Sequence, residues 1–160
     1  SGEELLPLSS DRPVGNRIGR AMFEARMIAP CGLDCSLCNE ALKNENPCPG
    51  CKGSDKYKPE FCSVRCLIIT CEFRAALQGD YCDACPRYPC EQSEEREYRY
   101  MNQYPLQESP ANNLKTIREE GMARFLEKQK KRWTCPECGG ILCVHTGLCS
   151  RCSRNYGKRN

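Results

Sequence analysis

The residues able to do chemistry are cysteines. The chain has sixteen, and eleven fall between Cys31 and Cys90. Four more form Cys135-x2-Cys138-x10-Cys149-x2-Cys152. Two thiolates two residues apart can bend a chelate turn around one ion, and two such pairs complete a tetrahedral site. Gly139-Gly140 supplies the turn after the first pair. The pattern is that of a zinc ribbon. A closed four-thiolate site keeps no position open for water, so it stabilises rather than catalyses. Cys143 and His145 lie between the pairs and could substitute as ligands, but two complete pairs make that unnecessary. The sole histidine is read as a surface or packing residue.

Cys35-x2-Cys38-x9-Cys48-x2-Cys51 follows the same logic, with Cys31 competing for a place. A third set is drawn from Cys66, Cys71, Cys82, Cys85 and Cys90. Cys66-x4-Cys71-x10-Cys82-x2-Cys85 would serve, as would a site taking Cys90 in place of Cys66 or Cys71. The expected cofactor is zinc, about three ions per chain at four thiolates each. Eleven thiols exceed two four-ligand sites by three. An iron–sulfur cluster is therefore the alternative for residues 31–90. Pro follows Cys48, Cys85 and Cys135, as beside ferredoxin ligands, although Pro is ordinary at any turn. Cys31-x3-Cys35-x2-Cys38 has the spacing of a radical S-adenosylmethionine motif. The chain after it is too short for the barrel of such an enzyme and shows no alternation of strand and helix.

Other catalytic arrangements are missing. One histidine allows a nucleophilic triad only at His145, and nothing recommends it. There is no Walker loop and no dinucleotide-binding glycine pattern. A redox role for Cys82-x2-Cys85 or Cys135-x2-Cys138 needs a βαβ context that is absent. No catalytic residue is assigned, and the chain is read as non-enzymatic.

Composition supports metal over disulfide. The 39% hydrophobic content includes the cysteines, so ordinary side chains suffice only for small cores. Residues 1–30 show no signal peptide, and no stretch approaches the roughly 18 apolar residues of a membrane span. A cytoplasmic protein with reduced thiols is expected. Net charge is +3, with eleven Lys and Arg against four Glu from Asn113 onward. Lys128, Lys130, Lys131 and Arg132, with Arg151, Arg154, Lys158 and Arg159, could form a phosphate-binding surface. Trp133 and Tyr156 could stack on bases. The plainer reading is a solvated helix end and tail.

Four segments must position these groups. Residues 1–26 read as a leader or vector-derived segment, with a short helix over about Arg17 to Arg26 and Met27 as a native start. Residues 27–92 are the cysteine-rich domain, with a short helix through Glu40, Ala41 and Leu42 and an apolar stretch from Cys62 to Phe73. Residues 93–133 form a helical connector with Ser93 as N-cap. Tyr104-Pro105 and Ser109-Pro110 interrupt it. A second helix runs from about Asn112 to Trp133, weakened at Gly121, with a core-facing stripe of Leu114, Ile117, Phe125 and Leu126. Residues 134–160 are the ribbon and a basic tail.

Met27-Ile28-Ala29-Pro30-Cys31-Gly32-Leu33-Asp34-Cys35-Ser36-Leu37-Cys38 resembles the opening of the DUF3795 family, prokaryotic cysteine-rich proteins of unknown function. Cys48-Pro49-Gly50-Cys51 resembles its second block. Cys66 and Cys71, Cys82-x2-Cys85 and Pro89-Cys90 resemble its third. Some members continue with a helix like Asn113 to Trp133 and a terminal Cys-Pro-x-Cys-Gly ribbon, so the resemblance spans about residues 27–153. It implies a bacterial or archaeal cytosolic metal-binding protein and transfers no activity. Cys62 lies outside the family pattern and is left off the ligand set. The expected fold is small, irregular, metal-organised α+β. The expected function is a zinc-binding interaction module for a protein or nucleic-acid partner, without membrane contact. The alternative is an iron–sulfur electron carrier or an accessory subunit of a redox enzyme.

Overall fold

The computed structural model describes residues 23–157, apart from 61, 63–65, 67, 69 and 79. Most of the helix expected over Arg17 to Arg26 lies outside these residues, as do Val64, Leu67, Ile69, Gly79, Lys158 and Arg159. Regular structure is mainly helical: α1 (Asn39–Leu42), α2 (Glu72–Ala75), α3 (Glu91–Asn102), α4 (Pro110–Glu120) and α5 (Met122–Trp133). The first two are single turns. Short 3-10 turns cover Ala25–Met27, Cys35–Leu37, Asp55–Tyr57 and Cys82–Ala84. Among the described residues, β structure is limited to isolated bridges, three of them within the ribbon (Thr134–Ile141, Leu142–Cys149, Leu148–Asn155). The expected α+β mix thus reduces to helices and bridges, because the cysteine-rich chain bends too often to extend.

Helix ends follow local chemistry, with two corrections. Ser93 is not the N-cap of α3. The helix starts two residues earlier, with Cys90 at the cap, and the Ser93 hydroxyl accepts from the Cys90 N–H at 2.9 Å. Gly121 does not merely weaken one long helix but divides it. Its φ of +92° is open to glycine and strained for other residues, so α4 ends and α5 begins there. Ser109 caps α4 by accepting from the Asn112 N–H at 3.0 Å, with Pro110 at the first helical position. Leu114 and Phe125 of the expected stripe are buried, and Ile117 and Leu126 half-buried. The stripe packs as core.

That core joins distant parts of the chain. Ala29, Leu33, Leu37 and Ile68 meet Trp133, Ile141, Leu142 and Val144 in one apolar cluster. The Val144 N–H donates to the Leu37 carbonyl at 3.0 Å. A buried polar clamp adds to this. Asn113 donates to the Gly32 carbonyl at 2.8 Å, Gln129 to Asp34 at 2.9 Å, and the Asp34 N–H to Glu108 at 2.8 Å. Gly32 is required at this crossing, since a Cβ there would run into the Pro110 carbonyl. The opening of the cysteine-rich segment is therefore held on α4 and α5.

Candidate metal centres

The ribbon begins where α5 ends. The Cys135 N–H donates to the Gly140 carbonyl at 2.7 Å and the Gly139 N–H to the Cys135 carbonyl at 2.9 Å, which closes the first turn. The Gly140 N–H points at the Cys138 sulfur at 3.4 Å, and the Arg151 N–H at the Cys149 sulfur at 3.4 Å. These turns aim four thiols at one point. Cys135, Cys138, Cys149 and Cys152 all lie within 4.8 Å of one another. Cys135 and Cys152 are 3.8 Å apart, Cys138 and Cys149 3.4 Å. A tetrahedron with metal–sulfur bonds of about 2.3 Å has edges of about 3.8 Å, so the group could hold one metal ion with little movement. Burial would raise the Cys135 thiol. The Tyr156 hydroxyl, 3.1 Å away, and the N–H groups of Glu137 and Cys138 outweigh it and hold the thiol down at about 6. Arg151 reaches across to the Cys138 carbonyl at 2.7 Å and ties the two turns together.

Cys143 and His145 stay outside this group. Cys143 is buried. His145 is half-buried, with Nε2 3.0 Å from the Tyr100 hydroxyl and Nδ1 accepting from the Asn39 N–H at 3.4 Å. Burial lowers its pKa. It packs edge-on against Tyr104, a packing histidine as expected.

The thiols of residues 31–90 are arranged differently. Among the described residues, the ribbon supplies the one group of three or more ligands drawn so closely together. Cys35 and Cys51 approach at 3.6 Å without a third partner at that spacing. The Cys35 thiol donates to the Cys51 sulfur, which keeps Cys35 protonated and lowers Cys51 to about 7. Ten of these eleven thiols, Cys35 and Cys51 among them, line two chambers. The first, about 70 Å³, is bordered by Cys31, Cys35, Cys38, Cys51, Cys62 and Cys66. The second, about 30 Å³, is bordered by Cys71, Cys82, Cys85 and Cys90. Cys48 lines a cleft against the ribbon, beside Pro49, Ile141 and Arg151, and lies close enough to Cys38, Cys51 and Cys62 for their charges to act on one another. Burial pushes Cys31 and Cys38 up to about 12 and Cys82 to about 11.

Several residues at these chambers carried no signal in the cysteine spacing. Arg96, on α3, is buried to 9% exposure and donates to the Cys66 sulfur at 3.4 Å. Its Nε has no partner. Its helical spacing from Tyr100, four residues on and also buried, was the available clue. Glu108, fully buried, also borders the first chamber, and its Oε1 is unpartnered. Burial and nearby Asp34 raise it to about 8. Cys62, omitted from the expected ligands, borders the same chamber. Of the two expected base-stacking aromatics, one is corrected. Trp133 is buried at 2% exposure within the core, where its ring cannot reach a base. Tyr156 turns its hydroxyl onto Cys135.

No helix among the described residues is long and apolar enough to cross a membrane. No curated protein and no solved structure matches the chain. One family model does match, and it ends before the α4–α5 helices and the ribbon that the sequence resemblance extended to. Residues 27–95 match the model of the DUF3795 family, described as proteins of unknown function.

Proposed function

We propose that the chain is a non-enzymatic zinc-binding protein whose ribbon serves as an interaction module. The observation that carries this is the four-thiol group of Cys135, Cys138, Cys149 and Cys152. A sulfur-only tetrahedral set suits zinc and leaves no coordination position for a reactant. Free thiols throughout suit a reducing compartment, so the cytoplasm is the proposed location.

The partner surface is the basic end of α5. Lys128, Lys130, Lys131 and Arg132 are exposed and lead directly into the ribbon, with Arg151 and Arg154 exposed beyond it. With Trp133 buried, this surface offers charge without stacked aromatics, which favours an acidic protein over single-stranded nucleic acid.

The test is metal content by native mass spectrometry on protein made without added metal. One zinc should vanish when Cys138 and Cys149 are both changed to Ser. Unchanged zinc in that variant rejects the ribbon site. Retention on an acidic matrix should fall with Lys130→Glu and Lys131→Glu, and more steeply at low salt. Equal retention rejects the partner surface.

A further inference from the structure

The thiols of residues 31–90 raise a question that the ribbon does not. A single zinc ion draws four sulfurs to about 3.8 Å from one another, and no cavity is needed between them. In the ribbon this is the arrangement. In the cysteine-rich segment ten cysteines line two chambers. Chambers of about 70 Å³ and 30 Å³ both exceed the ~10–15 Å³ that one water-sized centre needs. The larger leaves room for more than one atom between its cysteines; the smaller leaves little more than a water's space, so a cluster there must draw its four thiols outward.

The membership of each chamber is equally informative. The smaller has four cysteines, Cys71, Cys82, Cys85 and Cys90. Four is the number of thiolates that a [4Fe–4S] cluster takes. The rest of its lining includes Ile68, Leu77 and Tyr88. The larger offers six thiols and a buried cation. Arg96 already donates to the Cys66 sulfur at 3.4 Å and keeps its Nε without a partner. A buried, partly unsatisfied guanidinium is costly unless negative charge faces it. A group held by several thiolates supplies that charge, and uncharged thiols do not. The two chambers are neighbours: Ile68 borders both, and the Cys82 N–H donates to the carbonyl of Pro30, next to Cys31.

We propose that residues 31–90 hold two iron–sulfur clusters, one in each chamber. Cys71, Cys82, Cys85 and Cys90 ligate the first. The second takes its ligands from the six thiols around Arg96, whose guanidinium hydrogen-bonds to a cluster sulfur ligand. Loading replaces the proton of each ligating thiol by iron and releases it to solvent. Each [4Fe–4S]2+ core is assembled from two ferrous ions, two ferric ions and four sulfides, so no electron is transferred in that step. Neighbouring clusters of this kind would relay single electrons between an external donor and acceptor.

The experiment uses the full chain, purified without oxygen and incubated with equal amounts of ferrous and ferric iron and with sulfide. About eight irons and about eight acid-labile sulfides per chain are expected, from two four-iron clusters. They should bind in addition to the ribbon zinc. Zinc filling residues 31–90, or iron bound without sulfide, overturns the proposal. Loss of the ribbon zinc alone bears on the ribbon reading and not on this one. Cys85→Ser should remove about half of the iron and sulfide while the ribbon zinc stays, and an unchanged iron count overturns the assignment of the smaller chamber. Should that variant fail to fold, the iron-to-sulfide ratio of the unmodified chain still decides. Arg96→Gln should lower the reduction potential of one cluster and leave the other, since removing a nearby cation disfavours the reduced, more negative state. Two unshifted potentials overturn the placement beside Arg96.

Discussion

At residues 135–152 four thiols lie within 4.8 Å of one another, whereas at residues 31–90 ten of eleven thiols are spread around two chambers. Both regions are built from close cysteine pairs and turns. The difference lies in what the turns hold. In the ribbon, backbone N–H groups of the turns themselves point at the ligand sulfurs of Cys138 and Cys149. In the cysteine-rich segment, groups from other elements come between the thiols, notably Arg96 from α3 and Glu108 from the loop after it. A local device draws four thiols to one point, and a tertiary device spaces thiols around two chambers.

The largest effect that would sharpen this contrast is loss of the ribbon metal. Cys135→Ser with Cys149→Ser should abolish an interaction worth about 10–16 kcal/mol in comparable zinc peptides. The readouts are zinc content and amide protection over residues 134–156, and metal bound at residues 31–90 should remain. Joint loss of both would show that the regions do not load independently. Next comes Trp133→Ala. Trp133 is buried at the seam between the two regions, and the truncation should cost about 3–5 kcal/mol. One cooperative denaturant transition shifted as a whole is expected. Two separated transitions would break the picture of a shared core.

A smaller effect concerns pH. Burial raises Glu108 to about 8 from its ordinary 4.5. Between those values the folded chain holds a proton that the unfolded chain has lost. Stability should therefore be greatest below the lower value and fall as pH rises toward the higher one, by on the order of a few kcal/mol. Glu108→Gln should flatten this slope in urea titrations at several pH values. A slope that persists would assign the titration elsewhere. The smallest effect belongs to Arg118, which bonds from α4 to Asp83, between Cys82 and Cys85, at 2.6 Å. The pair is exposed on the arginine side. Arg118→Ala should cost only about 0.2–1 kcal/mol, and less at high salt. A larger loss would mean that α4 props up the smaller chamber.

Parts of this organisation were legible before any coordinates. The ribbon ligands follow from two pairs and one loop length. The interruptions before α4 follow from Pro105 and Pro110, and the packing role of His145 from the sufficiency of the other ligands. Errors arose where a local signal had a stronger neighbour. Ser93 resembles an N-cap, yet its hydroxyl serves Cys90 from inside the first turn. Trp133 sits in a basic stretch, yet the apolar residues of the ribbon cover its ring.

The amino-acid sequence by itself determined the four-thiol group of the ribbon and the interruptions at Pro105 and Pro110. Each depends on bonds and dihedral preferences spanning a few residues, which spacing and residue type encode directly. Only the tertiary structure decided that Cys71, Cys82, Cys85 and Cys90 share one chamber and that Arg96 is buried against Cys66. Those outcomes depend on how segments tens of residues apart pack onto α3, α4 and α5. Packing answers to the summed shape and burial of many side chains, and no local spacing records it.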